Sequence, residues 1–213
     1  SIKVLGAKHT WLGFEDSGWP DGQPKPPLPK GCFAEIPIEE AAKPLIKLIR
    51  EFRPQVLITY DEFGGYGHPD HIKANQVAMK AAEMAVSQGW TISKIYWNTM
   101  PRSVIQNGIE KMKEIGSSFF GAESVDDLPF AKPDELVTTV IRASEYVPQK
   151  LEAMKAHATQ ISVDGPFFAL SNNLGLSVWG DEYYTLVKEG NALKSDSFNS
   201  NSLETDLFAG VKL

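Results

Sequence analysis

A chain of 213 residues, 42% hydrophobic and 23% charged, buries one sizeable core and fits a single domain better than two. Its 21 basic and 27 acidic residues leave a net charge of −6, which argues against a nucleic-acid partner, since that role calls for a strongly basic face, and fits a small-molecule substrate better. No apolar run approaches the ~18 residues of a membrane span, and Ser1-Ile2-Lys3-Val4-Leu5-Gly6 lacks the successive regions of a signal peptide, so a cytoplasmic chain with no membrane partner is expected.

The first thirty or so residues carry Trp11, Trp19 and a dense set of glycines and prolines from Gly18 to Gly31, a composition that predicts an irregular loop. The single cysteine, Cys32, has no second thiol for a disulfide or a cysteine metal site and reads as a small, partly buried residue. From Pro37 a helix is expected, with Glu39 and Glu40 near its positive end, Leu45, Ile46, Leu48 and Ile49 on its apolar face, and Arg50 and Arg53 near its end. Pro54 stops it. Gln55-Val56-Leu57-Ile58-Thr59-Tyr60 then reads as a strand buried on both faces, of the parallel-sheet kind. An alanine-rich helix follows from about Asp70 to Val86, then a strand from Ile92 to Asn98, a helix from Val104 to Ile115, a strand from Thr138 to Ala143 and a helix from Pro148 to Thr159. Asp181 and Glu182 read as capping charge at the start of an aromatic, helix-like segment. Residues 191–201 read as a loose excursion and Leu203 to Val211 as a short amphipathic turn. Alternation of helix and strand predicts an α/β fold, a Rossmann-like three-layer sandwich with a mostly parallel sheet. Ligands in such sheets bind beyond the carboxyl ends of the strands.

Directly beyond the first of these strands stands Gly64-Gly65-Tyr66-Gly67-His68-Pro69-Asp70-His71, which holds two of the four histidines. His68 and His71 are three apart at the mouth of a helix and can face one cleft. Pro69 suits the first helical position, and the glycines let the chain bend sharply and a ligand approach closely. Neutral imidazole is a common zinc ligand, and a catalytic zinc site usually has three protein ligands and an open position, of which this segment supplies one or two. Asp70 is placed to orient a histidine, and a histidine so held serves as general acid or oxyanion partner. The same residues also read as a helix cap after a glycine turn. Asp16-Ser17-Gly18 is a candidate for a sugar hydroxyl, or simply a turn. His9 and His157 read as ordinary histidines, and Ser171-Asn172-Asn173 as a loop. No Gly-x-Ser-x-Gly elbow, Walker loop or dinucleotide fingerprint is present.

On Tyr60-Asp61 and the 64–71 segment, the chain resembles the LmbE-like (PIG-L) zinc deacetylases, which act on N-acetylglucosamine conjugates. The resemblance extends over Asp16-Ser17-Gly18, Ala156-His157-Ala158-Thr159-Gln160, Ala169-Leu170-Ser171-Asn172-Asn173-Leu174 and Asp181-Glu182-Tyr183-Tyr184. It is greatest to the branch that deacetylates N-acetylglucosaminyl-inositol in mycothiol biosynthesis. A branch that cleaves mycothiol S-conjugates shares the histidine motif and is the alternative, with a non-catalytic sugar-binding remnant as a third reading. The resemblance implies that His71 is a zinc ligand, His68 the oxyanion stabiliser or acid, Asp70 its orienting partner and Tyr66 a polariser of the substrate carbonyl. It also implies that Asp16 and Trp19 bind substrate. The family's other metal motif, His-Pro-Asp-Asp-Glu after a first strand, does not occur in these residues. The expectation is therefore one deacetylase domain over residues 1–213 without its N-terminal segment, which is inactive alone and holds zinc poorly until joined by that segment.

Overall fold

Pro37 leads into α2 (Ile38–Phe52), whose acidic residues Glu39 and Glu40 fall in the first turn and whose Ala41, Ala42, Ile46 and Ile49 turn to the core. Arg53 closes it in the left-handed conformation at φ 48°, its N–H on the Ile49 carbonyl, and Pro54 prevents further helix. In this computed structural model the described residues are 1–18, 24–114, 116, 118–119, 121–159, 180–190, 192–193 and 203–212. Trp19, Gln160 and the 169–174 stretch lie outside them.

The chain then forms β1 (Val56–Thr59), the short turn α3 (Gly64–Gly67), α4 (Pro69–Ser87), β2 (Lys94–Asn98), α5 (Arg102–Glu114), β3 (Thr139–Arg142), α6 (Val147–Lys155), β4 (Asp181–Glu189) and β5 (Ala192–Leu193). A four-residue helix α1 (Ile2–Leu5) precedes them and packs on α6. The sheet order is β1-β2-β4-β3, with β5 paired to β4. Val187 of β4 and Leu57 and Ile95 of β1 and β2 face α2 and α4 with Val77, Ala81, Ala82 and Ala85 of α4. Alternate residues Val56, Tyr96, Tyr184 and Leu186 face the other way and meet Leu207. Helix α5 forms a separate cluster with Phe119, Leu128 and Ala131.

The α/β class stands, but the expected mostly parallel sheet is a mixed one. Among the described strands only β1 and β2 pair in parallel, whereas β4 runs antiparallel to β2, β3 and β5. The departure comes from 181–189, read as helix-like and found to be the longest strand among the described residues. Its Tyr-Tyr-Thr-Leu-Val run suits a pleated surface, and insertion between β2 and β3 satisfies both of its edges. Glu182 is correspondingly no cap: it takes Lys150 at 2.8 Å and the Tyr184 hydroxyl at 2.6 Å. Strand β1 is also less enclosed than its sequence suggests, since it ends the sheet and leaves Ile58 45% exposed. Cys32 is fully buried.

No described helix is long and apolar enough to cross a membrane. At the end of the sheet remote from the glycine loop, Trp90 donates its indole N–H to the Pro54 carbonyl at 2.9 Å, tying the end of α4 to the start of β1. Trp90→Phe keeps the ring and orphans that carbonyl, so a loss of about 1 kcal/mol is expected in urea unfolding. An unchanged midpoint would show that water replaces the bond.

Candidate active site

The carboxyl end of β1 passes directly into the candidate site. The Asn75 amide on α4 donates to the Tyr60 carbonyl at 2.7 Å and fixes where the strand stops. Asp61 is then buried, accepting the Gly65 N–H on Oδ1 at 2.8 Å and the Lys132 ammonium on Oδ2 at 2.9 Å. Burial pushes the Lys132 ammonium down, but Asp61 and Glu62 outweigh it and hold the group above its ordinary value. Gly64 and Gly65 both have positive φ, 68° and 77°. This lets the turn double back until Gly64 rests on the first turn of α4. Pro69 is the first residue of α4, as expected, and His68 is its N-cap.

The two histidines are held in opposite tautomers. The Nδ1 of His71 lies 3.1 Å from the Gly64 carbonyl oxygen, which only accepts, so Nδ1 carries the proton and Nε2 presents a lone pair. The Nδ1 of His68 accepts the backbone N–H of Asp70 at 3.1 Å, so in the neutral ring the proton sits on Nε2. One ring is prepared to bind a cation and the other to donate. The ring centres are 4.8 Å apart, and Tyr66 stands edge-on to His71 at 5.1 Å and to His68 at 6.2 Å. Tyr60 stacks flat on His71 at 4.1 Å. Burial lowers the basicity of His71, and the neighbouring His68 adds to this against the Gly64 carbonyl, Asp70 and Asp16, so the ring is neutral at pH 7. Burial also raises the Tyr66 phenol, which therefore remains a hydrogen-bond donor there.

Asp70 meets the site differently from the sequence expectation. Its backbone, through the N–H just described, orients His68, while its carboxylate accepts the N–H of buried Ser17 at 2.9 Å. This bond brings Asp16-Ser17-Gly18 to the mouth of α4. Asp16 takes the Gly18 N–H at 2.6 Å, as an Asx turn does, and remains exposed near enough to His71 to affect its charge. The other Asp70 oxygen is buried with no hydrogen-bond partner among the described residues. Asp70→Ala is expected to speed hydrogen exchange at the Ser17 amide roughly 10- to 100-fold, matching the ~1.5–3 kcal/mol of a bond to a charged acceptor. Unchanged exchange would show the loop to be held by other contacts.

No group of three or more His, Cys, Asp or Glu side chains able to hold a metal occurs among the described residues. His71 Nε2 suits one ligand position, and the remainder of a tetrahedral set does not come from these neighbours. His9 and His157 are exposed and take no part in the contacts above, His9 lying edge-on to Trp11. Sequence reading singled out Asp16-Ser17-Gly18 but not the bond of the Ser17 N–H to Asp70, and it missed Asn75, the Gly64 carbonyl and Lys132. A backbone carbonyl leaves no sequence signal, and Lys132 reaches Asp61 only because the bridge between Pro101 and Lys132 carries it there.

A family model described as GlcNAc-PI de-N-acetylase (PIG-L) matches residues 1–82. A Catenulispora acidiphila protein named 1D-myo-inositol 2-acetamido-2-deoxy-alpha-D-glucopyranoside deacetylase 1 is 48% identical, over 99% of this chain and 68% of its own length. A Geodermatophilus obscurus protein of the corresponding deacetylase name is 46% identical over 99% of this chain and 74% of its own. A Streptomyces avermitilis deacetylase of the same name is 40% identical over 99% of the chain and 74% of its own.

Proposed function

Because the chain belongs to the GlcNAc-PI de-N-acetylase (PIG-L) family, we propose that it hydrolyses the N-acetyl group of an N-acetylglucosaminyl-inositol, the mycothiol-pathway substrate, releasing acetate and a free amine. The observation that carries this reading is the opposed pair of tautomers on one turn, His68 with a donor Nε2–H and His71 with an Nε2 lone pair. Amide hydrolysis requires both functions within one site. The sugar is bound at the 16–18 turn, where Asp16 accepts its hydroxyls, and Trp19 is proposed as a further substrate-binding residue. The acetamide carbonyl takes a hydrogen bond from Tyr66 as negative charge develops on its oxygen. His68 Nε2–H adds to that stabilisation, with the Asp70 backbone N–H on Nδ1 holding the ring in place, and the departing amine takes up the proton that the general base removes from the attacking water.

Zinc is the cofactor that fits this reading, with His71 as one ligand; when bound, it supplies Lewis acidity and a nucleophile at neutral pH. The other two ligands and the general base are proposed to belong to a His-Pro-Asp-Asp-Glu segment outside these residues. The edge of β1 that is unpaired among the described residues, beside the site, is where a strand leading to that segment would pair. The shortage of further ligands around His71 among the described residues supports this reading, which makes residues 1–213 alone a poor zinc binder.

Intact mass, zinc content and acetate release, measured on the same purified protein with N-acetylglucosaminyl-inositol, test the proposal. Acetate release that accompanies about one zinc and is lost on chelation is the expected result for protein whose mass exceeds that of residues 1–213, which alone are expected to hold little zinc and release no acetate. His68→Ala lowers kcat while zinc stays bound, and His71→Ala loses zinc as well. Glycan binding indifferent to chelator, with no acetate released at any zinc occupancy, would instead identify a sugar-binding protein.

A further inference from the structure

We propose that Lys132 is a positioning residue for His71, acting through Asp61 and the Gly64-Gly65 turn to hold the imidazole in the tautomer that leaves Nε2 open. The inference deepens the deacetylase reading and rests on it for its consequence, while the contacts themselves stand apart from any reaction. Four successive contacts make the link. The Lys132 ammonium lies 2.9 Å from Asp61 Oδ2, and Asp61 Oδ1 accepts the Gly65 N–H at 2.8 Å. The Gly64 N–H donates to the Asp61 carbonyl at 2.9 Å. The Gly64 carbonyl, thus fixed at both neighbouring peptides, receives the Nδ1–H of His71 at 3.1 Å.

Lys132 is itself delivered rigidly. Its N–H donates to the Met100 carbonyl at 2.8 Å and its carbonyl accepts the Arg102 N–H at 2.9 Å, so its backbone is clamped between β2 and α5. The carboxylate it meets is 5% exposed as a residue, and a buried carboxylate stripped of its cation is costly to keep in place. Without the ammonium, Asp61 turns toward water or toward Glu62's side of the loop and lets go of the Gly65 N–H. Glycine offers little resistance to rotation of the 64–65 peptide, so the Gly64 carbonyl swings away from His71. The ring then reverts to Nε2–H, the form favoured by free imidazole side chains, and its metal-facing nitrogen is occupied by a proton.

The test is the tautomer of His71 in metal-free protein, read by heteronuclear NMR of the imidazole nitrogens and identified by the signal that His71→Gln removes. Wild type is expected to show Nδ1–H as the major form, Lys132→Met to lose it in favour of Nε2–H, and Lys132→Arg, which restores a cation, to recover it. A merely structural salt bridge would change stability and leave the tautomer alone. Nε2–H already dominant in wild type, or Nδ1–H persisting in folded Lys132→Met, overturns the proposal. If Lys132→Met does not fold, wild type and Lys132→Arg decide: Nδ1–H in both supports it and Nε2–H in either overturns it. Since neither metal nor substrate is present, failure of the deacetylase reading would appear separately, as absent acetate release alongside the expected tautomers.

Discussion

Gly64→Ala is expected to destabilise the protein by about 2–5 kcal/mol and to abolish acetate release, the largest effect of any single methyl group added near the site. Two costs combine. The position has φ 68°, which a side chain tolerates poorly, and an added Cβ would sit 2.6 Å from the Ile72 nitrogen and 2.8 Å from His71 Cβ. Neither neighbour is the flexible end of a side chain: one is backbone of the first turn of α4 and the other is the root of the candidate ligand. Relief therefore has to come from moving the turn or the helix, and either motion separates the Gly64 carbonyl from His71 Nδ1. Gly6→Ala provides the comparison, since Gly6 has a similar φ of 64° but nothing within 4 Å of an added Cβ. The difference between the two variants in urea unfolding isolates the clash from the backbone cost. Equal losses at both positions would sink the argument that close approach, rather than dihedral preference, demands glycine here.

How much of this is legible in the sequence depends on whether the information is local. The helix ending at Phe52, the strand after Pro54 and the helix opening at Pro69 follow from signals within a few residues of each boundary: acidic first turns, prolines at stops and starts, and apolar spacing. The histidine pair is visible because both members lie on one turn. The strand 181–189 is misread because it alternates imperfectly and its stability comes from the two strands it separates, which its own sequence does not announce. The same holds within the site. That His68 caps the helix is readable from its place before Pro69. That its tautomer opposes that of His71 is not, because the deciding groups are the Asp70 N–H and the Gly64 carbonyl, whose directions depend on the folded turn. Ser17 and Lys132 enter from loops 53 positions before Asp70 and 71 after Asp61, and only the assembled sheet end brings them in.

The second large effect concerns the opposite face of the sheet. Lys94 on β2 is almost wholly buried, with 3% of its side chain exposed, and its ammonium meets Glu204 Oε1 at 2.6 Å. The other carboxylate oxygen accepts the Tyr96 hydroxyl at 2.8 Å and the Thr139 hydroxyl at 3.2 Å. Burial, with Glu204 beside it, raises the Tyr96 phenol far above its ordinary value, so Tyr96 remains a donor throughout the working pH range. Glu204→Ala is therefore expected to cost about 3–5 kcal/mol, because it leaves a buried ammonium uncompensated and takes the shared acceptor from both hydroxyls. Lys94→Met removes the charge but leaves Tyr96 and Thr139 bonded to Glu204. The double variant Lys94→Met/Glu204→Ala is then expected to be more stable than Glu204→Ala alone, since no unpaired charge remains inside and Tyr96 keeps the Leu207 carbonyl at 3.3 Å. Backbone pairing contributes independently: Glu204 donates to the Thr138 carbonyl and accepts the Val140 N–H, each at 2.9 Å, and these bonds survive side-chain truncation. A urea double-mutant cycle separates the two contributions. Rescue by Lys94→Met identifies the buried charge as what makes Glu204 necessary. A double variant no more stable than Glu204→Ala would mean that the hydroxyls and the docking of Leu207 against Tyr96 and Tyr184 hold this segment, with the ion pair incidental to it.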